Sequence, residues 1–208
     1  MRIDHVLYGV RDLPEAQRWF SDEFGLAAAS GGAHPELGTA NAIISAGPGQ
    51  YVELIAVVDA TINHPLPKVL NAMLTDGDRP VGMCLRPDDL EQVAERLALS
   101  PVDMHRDPPG GRRIEWRVVG MEGALGPHRL PFFIDWGSHA AELDTENESA
   151  APDGAIAWVE IGAAPDDLAR WVGEPVDGLR AVDAPPGVSR FAIRRGDSEI
   201  VIGPREIR

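Results

Sequence analysis

The pattern of apolar and polar positions along the chain repeats three times in the same order. Each repeat opens with an apolar strand, continues into an amphipathic helix and ends in further strand-like segments. The opening strands are IDHVLYGV at 3–10, PVGMCLR at 80–86 and GAIAWVEIG at 154–162. The helices begin with the similar segments DLPEAQRW, DDLEQVAER and DDLARWV. Order, length and helix starts therefore predict three related units.

The first unit is the most complete. Asp12 is placed to cap a helix with Pro14 in its first turn, and Gly25 is placed to end it. Strand-like segments follow at about 26–30, 40–47 and 50–58, the last two joined by a Gly-Pro-Gly turn. This order predicts a βαβββ unit.

The connecting segments differ in composition. An apolar helical stretch precedes the second unit, whereas SHAAELDTENESAAPD is acidic and rich in serine and alanine, which is typical of a linker. We expect a first βαβββ module at 1–59, a bridging helical connector at 60–79, a second βαβββ module at 80–137, an acidic linker at 138–153 and a third βαββ-like unit at 154–208.

The charge balance narrows the function classes. Formal net charge is −14, with 33 acidic and 19 basic residues, so a nucleic-acid partner or an anionic membrane surface is disfavoured. The longest apolar run is far short of a bilayer span, and no signal-peptide pattern opens the chain. The single cysteine, Cys84, cannot form an intramolecular disulfide. We expect a cytoplasmic protein.

Two ionisable residues interrupt apolar strands. His5 shares a strand face with Ile3 and Leu7, and it is a metal ligand, a substrate contact or a core residue bonded to the backbone. Glu53 lies between apolar neighbours on both faces of its strand. A charged carboxylate in such a place is rarely unpaired, so Glu53 is a metal ligand, a general base or half of an ion pair with an arginine.

Further candidates are weaker on residue grounds alone. Asp135, like Glu53, is an acidic residue between apolar neighbours in a strand, although an aspartate near a strand end also caps turns. His34 and Asn41 bound a glycine-containing loop and are candidate substrate contacts, with an ordinary polar loop as the alternative. Three more candidate substrate contacts lie in the second unit: Arg113, Trp116 and Trp136. Arg113 follows Arg112, and arginine suits the recognition of a carboxylate. Tryptophan is more often a core residue, which is the alternative for Trp116 and Trp136. No glycine-rich phosphate motif is present, so no nucleotide cofactor is expected.

Four segments in order carry a family resemblance: IDHVLYGVRDL, HPELGTAN, YVELIAVVD and PFFIDW. With the tandem βαβββ order, the chain resembles the vicinal oxygen chelate superfamily of glyoxalase I, extradiol dioxygenases and bleomycin-resistance proteins, and within it the glyoxalase-like domain branch. The resemblance implies a cup that holds a divalent metal, with ligands from the first and fourth strands of each module. His5 and Glu53 match the first module. In the second, Gly82 occupies the first-strand position, and the fourth-strand position falls at Ile134 or Asp135.

The resemblance implies an α+β fold in which tandem βαβββ modules form curved mixed sheets around a cup, with the third βαββ-like unit on a sheet edge or in a homodimer contact. It implies catalytic roles for Glu53 and His5, and a metal (Mn, Fe, Ni or Zn) on His5, Glu53 and Asp135. The expected function is a metal-dependent enzyme, a lyase, isomerase or dioxygenase, acting on a small oxygenated metabolite. The alternative is a metal-free protein of the bleomycin-resistance type that binds a small molecule in the same cup.

Overall fold

The structure is a computed structural model that describes residues 1–106 and 113–206. None of the helices in these ranges is both long and apolar enough to cross a bilayer. The strands are β1 (Arg2–Gly9), β2 (Ala29–His34), β3 (Thr39–Gly47), β4 (Gln50–Val57), β5 (Gly77–Arg86), β6 (Val102–Arg106), β7 (Ile114–Val119), β8 (Phe132–Asp135), β9 (Gly154–Gly162), β10 (Leu179–Val182), β11 (Gly187–Arg195), β12 (Ser198–Ile202) and β13 (Arg205–Glu206). The helices are α1 (Leu13–Phe24), α2 (Pro65–Met73), α3 (Leu90–Leu97), α4 (Met121–Leu125), α5 (Ala140–Ala150) and α6 (Pro165–Val172).

One large curled sheet contains both βαβββ modules. Its order is β2-β3-β4-β1-β5-β8-β7-β6, with β13 added to β5. The first strands of the two modules, β1 and β5, lie antiparallel at its centre, and each pairs in parallel with the fourth strand of its own module. The predicted α+β class with a curved mixed sheet is confirmed.

The two modules correspond residue by residue around their first helices. Asp12 accepts a hydrogen bond from the backbone N–H of Glu15 (2.7 Å) and caps α1, as predicted. Asp89 caps α3 in the same way, and in each module the first strand ends three residues before the cap. His5 therefore corresponds to Gly82, and Leu7 corresponds to Cys84.

Parts of the second and third units differ from the sequence interpretation. The acidic segment 138–153 was expected to be a linker, but it contains helix α5. The strands β6 and β10 had no predicted counterpart, because both are short and have mixed polarity. A polar and acidic composition therefore does not by itself distinguish an extended linker from a helix.

The large sheet has two different faces. The core face, which carries Val6, Tyr8 and Leu54, packs against α1, α3 and α6 in the main hydrophobic core. The cup face carries His5 and Glu53, and helices α2 and α4 cover part of it. Any site built on His5 and Glu53 is therefore on the side away from the main core.

The third unit forms its own sheet of order β10-β9-β11-β12. Its buried residues Ile156, Val159, Phe191 and Ile193 belong to the same core as the core face of the large sheet. The unit packs face-on against the large sheet through these apolar side chains, and its last strand, β13, also pairs with the beginning of β5. This packing leaves the cup face accessible to the loops and helices of the first two modules.

Candidate functional site

The structure brings His5 and Glu53 together on the cup face. Strands β1 and β4 are parallel, with Leu7 opposite Glu53, so Glu53 lies diagonally across from His5. Nε2 of His5 is 3.8 Å from Oε2 of Glu53. The His5 side chain is 4% exposed and that of Glu53 is 13% exposed, so the pair reaches solvent mainly through Glu53.

Asn41 holds Glu53 in this position. Its Nδ2 donates to Oε1 of Glu53 (2.8 Å), and its Oδ1 accepts from the backbone N–H of Gly32 (2.7 Å). A Cβ atom at Gly31 would overlap Oδ1 of Asn41, so the glycine at this position allows the loop to pass this close. Asn41 was predicted as a substrate contact, but the structure uses its amide to orient Glu53 and leaves Oε2 facing His5.

Asp4 lies behind His5. Consecutive strand residues normally point to opposite faces, but Ile3 pairs with Leu85 and His5 with Cys84, so Asp4 is the extra residue of a β-bulge. Its Oδ1 is 2.7 Å from Nδ1 of His5. Burial raises the pKa of the Asp4 carboxyl, but the hydrogen bond with His5 and the charge of Arg86 outweigh burial and lower this pKa overall.

A hydrogen-bonded network extends from the buried Asp4 towards the surface. Its Oδ2 accepts hydrogen bonds from Nε of Arg86 (2.7 Å) and from Nε1 of Trp136 (3.2 Å). Arg86 also donates to Asp144 of α5 (2.8 Å), and Arg2 donates to the other oxygen of Asp144 (2.8 Å). Sequence reasoning missed Asp4, Arg86 and Asp144, because a bulge and a tertiary contact leave no periodic signal. Trp136 was predicted to contact substrate, yet it is buried here as a donor to Asp4.

Aromatic rings fix the His5 imidazole from two sides. The Tyr51 ring stacks on it with centroids 4.5 Å apart, and Phe132 meets it edge-on at 5.6 Å. Nδ1 of His5 is directed at Asp4, so Nε2 is the ring nitrogen that faces Glu53.

The second module does not supply the other half of a four-ligand site. The residue that corresponds to Leu7 is Cys84, and Cys84 pairs with Phe132 just as Leu7 pairs with Glu53. The counterpart of Glu53 is therefore Phe132, which corrects the placement of this position at Ile134 or Asp135. Gly82 and Phe132 have no ligand atom, so the residues present do not fit the metal arrangement that the resemblance implies.

Asp135 lies on the opposite face of the sheet from His5. Its strand neighbour Phe133 is in the main core, whereas Phe132 is on the cup face. Oδ2 of Asp135 accepts from Arg117 (2.9 Å), which also pairs with Glu91 of α3. The hydrogen bond with Arg117 lowers the pKa of the Asp135 carboxyl. Asp135 is therefore not a third ligand beside His5 and Glu53.

Within the described residues, Asp4, His5 and Cys84 form a cluster of metal-ligating types, their candidate atoms within 4.8 Å of one another. Its geometry favours a hydrogen-bonded core instead. Both oxygens of Asp4 are engaged, and the guanidinium of Arg86 would repel a dication there. The thiol of Cys84 donates to the backbone carbonyl of Leu85, with Sγ 3.7 Å from the oxygen.

The remaining predicted contacts lie outside this pair. His34 is 3.2 Å from the hydroxyl of Thr39, on the strand that also carries Asn41. Arg113 is exposed just before β7, and its neighbour Arg112 is outside the described residues. Trp116 packs against Trp136 with centroids 5.3 Å apart. Both tryptophans line a cleft of about 450 Å³ that neither His5 nor Glu53 lines.

Comparisons with known proteins agree with this fold. The glyoxalase-like domain matches residues 3–176. A hypothetical protein from Staphylococcus aureus is 17% identical, with a TM-score of 0.64 over 96% of this chain and 84% of its own. Methylmalonyl-CoA epimerase from Mycobacterium tuberculosis is 19% identical, with a TM-score of 0.45 over 64% of this chain and 84% of its own. A variant of the Streptomyces coelicolor epimerase in complex with 2-nitronate-propionyl-CoA is 15% identical, with a TM-score of 0.48 over 64% of this chain and 96% of its own.

No functionally curated protein matches the chain. The similarity to the Staphylococcus aureus protein, at 17% identity, shows the fold alone. The domain match covers most of the chain, including both strands that carry His5 and Glu53. The chain therefore belongs to the glyoxalase-like domain family.

Proposed function

We propose that this protein is an enzyme that transfers a proton next to the carbonyl group of a small oxygenated metabolite, with His5 and Glu53 as the acid–base pair. The observation that carries the proposal is the 3.8 Å separation of Nε2 and Oε2 on the cup face. Asp4 engages the other nitrogen of His5, and Asn41 engages the other oxygen of Glu53. Each partner thus presents one atom to the same small space.

The chemistry follows from one proton shared by the pair. With that proton on Nε2 of His5, Oε2 of Glu53 removes a proton from the carbon beside the carbonyl. The C–H electron pair forms the carbon–carbon double bond of an enol, and His5 gives its proton to the carbonyl oxygen. Return of both protons to their original atoms completes an exchange with solvent. Where the enol is an enediol, Glu53 can instead give its proton to the former carbonyl carbon while His5 takes the proton of the other hydroxyl, so the reaction class is proton exchange or isomerisation of a hydroxy-carbonyl compound.

The walls of the cup support a substrate with an apolar body. Around His5, the cup face carries the half-buried Leu7 and Tyr51 and the buried Phe132. A mostly apolar surface with a few convergent polar groups is typical of a small-molecule site. The polar reactive end of the substrate would lie between His5 and Glu53, with its remainder against these side chains.

Solvent-proton exchange tests the proposal. Hydroxyacetone, 2-oxobutanoate and phenylpyruvate are incubated in D₂O with chelator-treated protein, and loss of the proton signal beside the carbonyl is followed by NMR. We expect wild type to accelerate exchange of at least one probe and Glu53→Gln to lose about 10²-fold of that rate. Glu23→Gln is the matched control, because Glu23 is exposed on α1 and remote from the cup face.

Two results would contradict the proposal. Binding of the probes without exchange would favour a ligand-binding protein of the bleomycin-resistance type. Exchange that appears only after Mn, Fe, Ni or Zn is restored, together with a stoichiometric metal that His5→Ala and Glu53→Ala both lose, would favour the metal-dependent enzyme instead.

A further inference from the structure

We propose that Asp4 is a positioning residue that keeps a proton on Nδ1 of His5, so that only Nε2 exchanges protons with a substrate. This inference rests on the proposed function for its catalytic meaning, but its structural content is independent of any substrate. It assigns a role to a residue that the family resemblance does not single out.

The contacts of Asp4 divide cleanly between its two oxygens. Oδ1 lies 2.7 Å from Nδ1 of His5. Oδ2 accepts from Nε of Arg86 and from Nε1 of Trp136, two groups that can only donate. Asp4 is fully buried, so water does not compete for either oxygen.

An ionised carboxylate has only acceptors, so the short contact with Nδ1 requires the proton to be on that nitrogen. In neutral His5 the free electron pair is then on Nε2, and in protonated His5 the exchangeable proton is on Nε2. In both states the atom towards Glu53 is the one that reacts.

The β-bulge makes this arrangement specific. In a regular strand, alternation would direct the Asp4 side chain to the face opposite that of His5. The bulge instead places acid and imidazole side by side on one strand. Arg86, anchored by Asp144 on α5, then supplies the positive charge that keeps the carboxylate ionised.

The variant Asp4→Asn gives a sharp test, because its amide has one donor end and one acceptor end. Arg86 and Trp136 require the amide oxygen at the Oδ2 position, so the amide NH₂ must face Nδ1 of His5. That NH₂ can only donate. Neutral His5 would therefore carry its proton on Nε2, with the free electron pair turned away from the substrate.

The experiment records ¹⁵N NMR spectra of histidine-labelled protein about two pH units above the ordinary histidine pKa of about 6.5. The six histidines are separated by comparison with His5→Gln. We expect a protonated Nδ1 and an unprotonated Nε2 in wild type, and the reverse in Asp4→Asn with an otherwise unchanged amide spectrum. We also expect the exchange rate of Asp4→Asn to fall about 10²-fold.

A wild-type His5 protonated at Nε2 would overturn the inference, and so would an Asp4→Asn variant that keeps the wild-type form. The wild-type spectrum is decisive by itself, so the test survives a variant that does not fold. Trp136→Phe, which removes one donor and keeps the Arg86 contact, should retain the wild-type form. If the wild-type form is as expected but no probe exchanges, the proposed function fails while the placement of the proton stands.

Discussion

Phe132 occupies in the second module the position that Glu53 occupies in the first. Each lies on the fourth strand of its module and pairs with the equivalent residue of the first strand, Cys84 and Leu7 respectively. This correspondence identifies the two positions at which the second module lacks a metal-binding side chain. One is Gly82, and the other is Phe132, whose ring packs against His5.

This correspondence predicts that one substitution can restore a metal-binding side chain to the second module. A Cβ atom at Gly82 would meet only Leu7, at 3.8 Å, so the backbone accepts a side chain there. We expect Gly82→His to bind Ni²⁺ or Zn²⁺ at least about tenfold more tightly than wild type, because imidazole suits both ions. Titration calorimetry measures the affinity, with Gly82→Ala as the control. Equal affinities in the two variants would mean that position 82 does not face His5 and Glu53.

Sequence periodicity predicted the elements around the site better than the site itself. The helix start at Asp12 and the strands that carry His5 and Glu53 follow local rules, and the structure has them where expected. The face of Asp135 depends on register, which a short apolar strand such as β8 does not reveal. Asp4 was missed for the same reason, since alternation places it opposite His5 and only the bulge reverses this.

Cys84 should be unreactive in the folded protein. It is fully buried, and burial raises the pKa of its thiol well above the usual value, so little thiolate is available to react. We expect Ellman's reagent to label no thiol in native protein over an hour at pH 8 and one thiol per chain in urea. Rapid labelling of the native protein would show an accessible thiolate and would revive Cys84 as a metal ligand.

The paired glycines next to Asn41 provide a matched test of how Glu53 is held. A Cβ at Gly31 would displace the Asn41 amide, whereas a Cβ at Gly32 has no neighbouring atom within 4 Å. We expect Gly31→Ala to lower the free energy of unfolding by about 1–3 kcal/mol, because buried polar groups lose partners. It should also reduce proton exchange in the same direction as Asn41→Ala.

Gly32→Ala keeps the N–H that Asn41 accepts from, so its stability and exchange rate should stay close to wild type. Urea denaturation and the D₂O exchange assay measure the two effects separately. Equal behaviour of the two alanine variants would mean that the loop does not constrain Asn41.

The ionisation of Asp4 predicts a pH dependence of stability with a definite sign. Its pKa in the folded protein lies below the ordinary value of 3.8, so the stabilisation is fully present above that pH and is lost as the pH falls through the lowered folded pKa. Removing one partner of a buried ion pair costs about 3 kcal/mol. We expect Asp4→Asn to be less stable than wild type by about that amount at pH 7, with the difference shrinking below about pH 4.

Urea denaturation from pH 7 to pH 3 measures this difference in stability, with the exposed Asp22→Asn on α1 as the control. A difference that stays constant down to pH 3 would mean that the pKa of the Asp4 carboxyl is the same in the folded and unfolded protein, so that the contacts with His5 and Arg86 do not favour its ionised form.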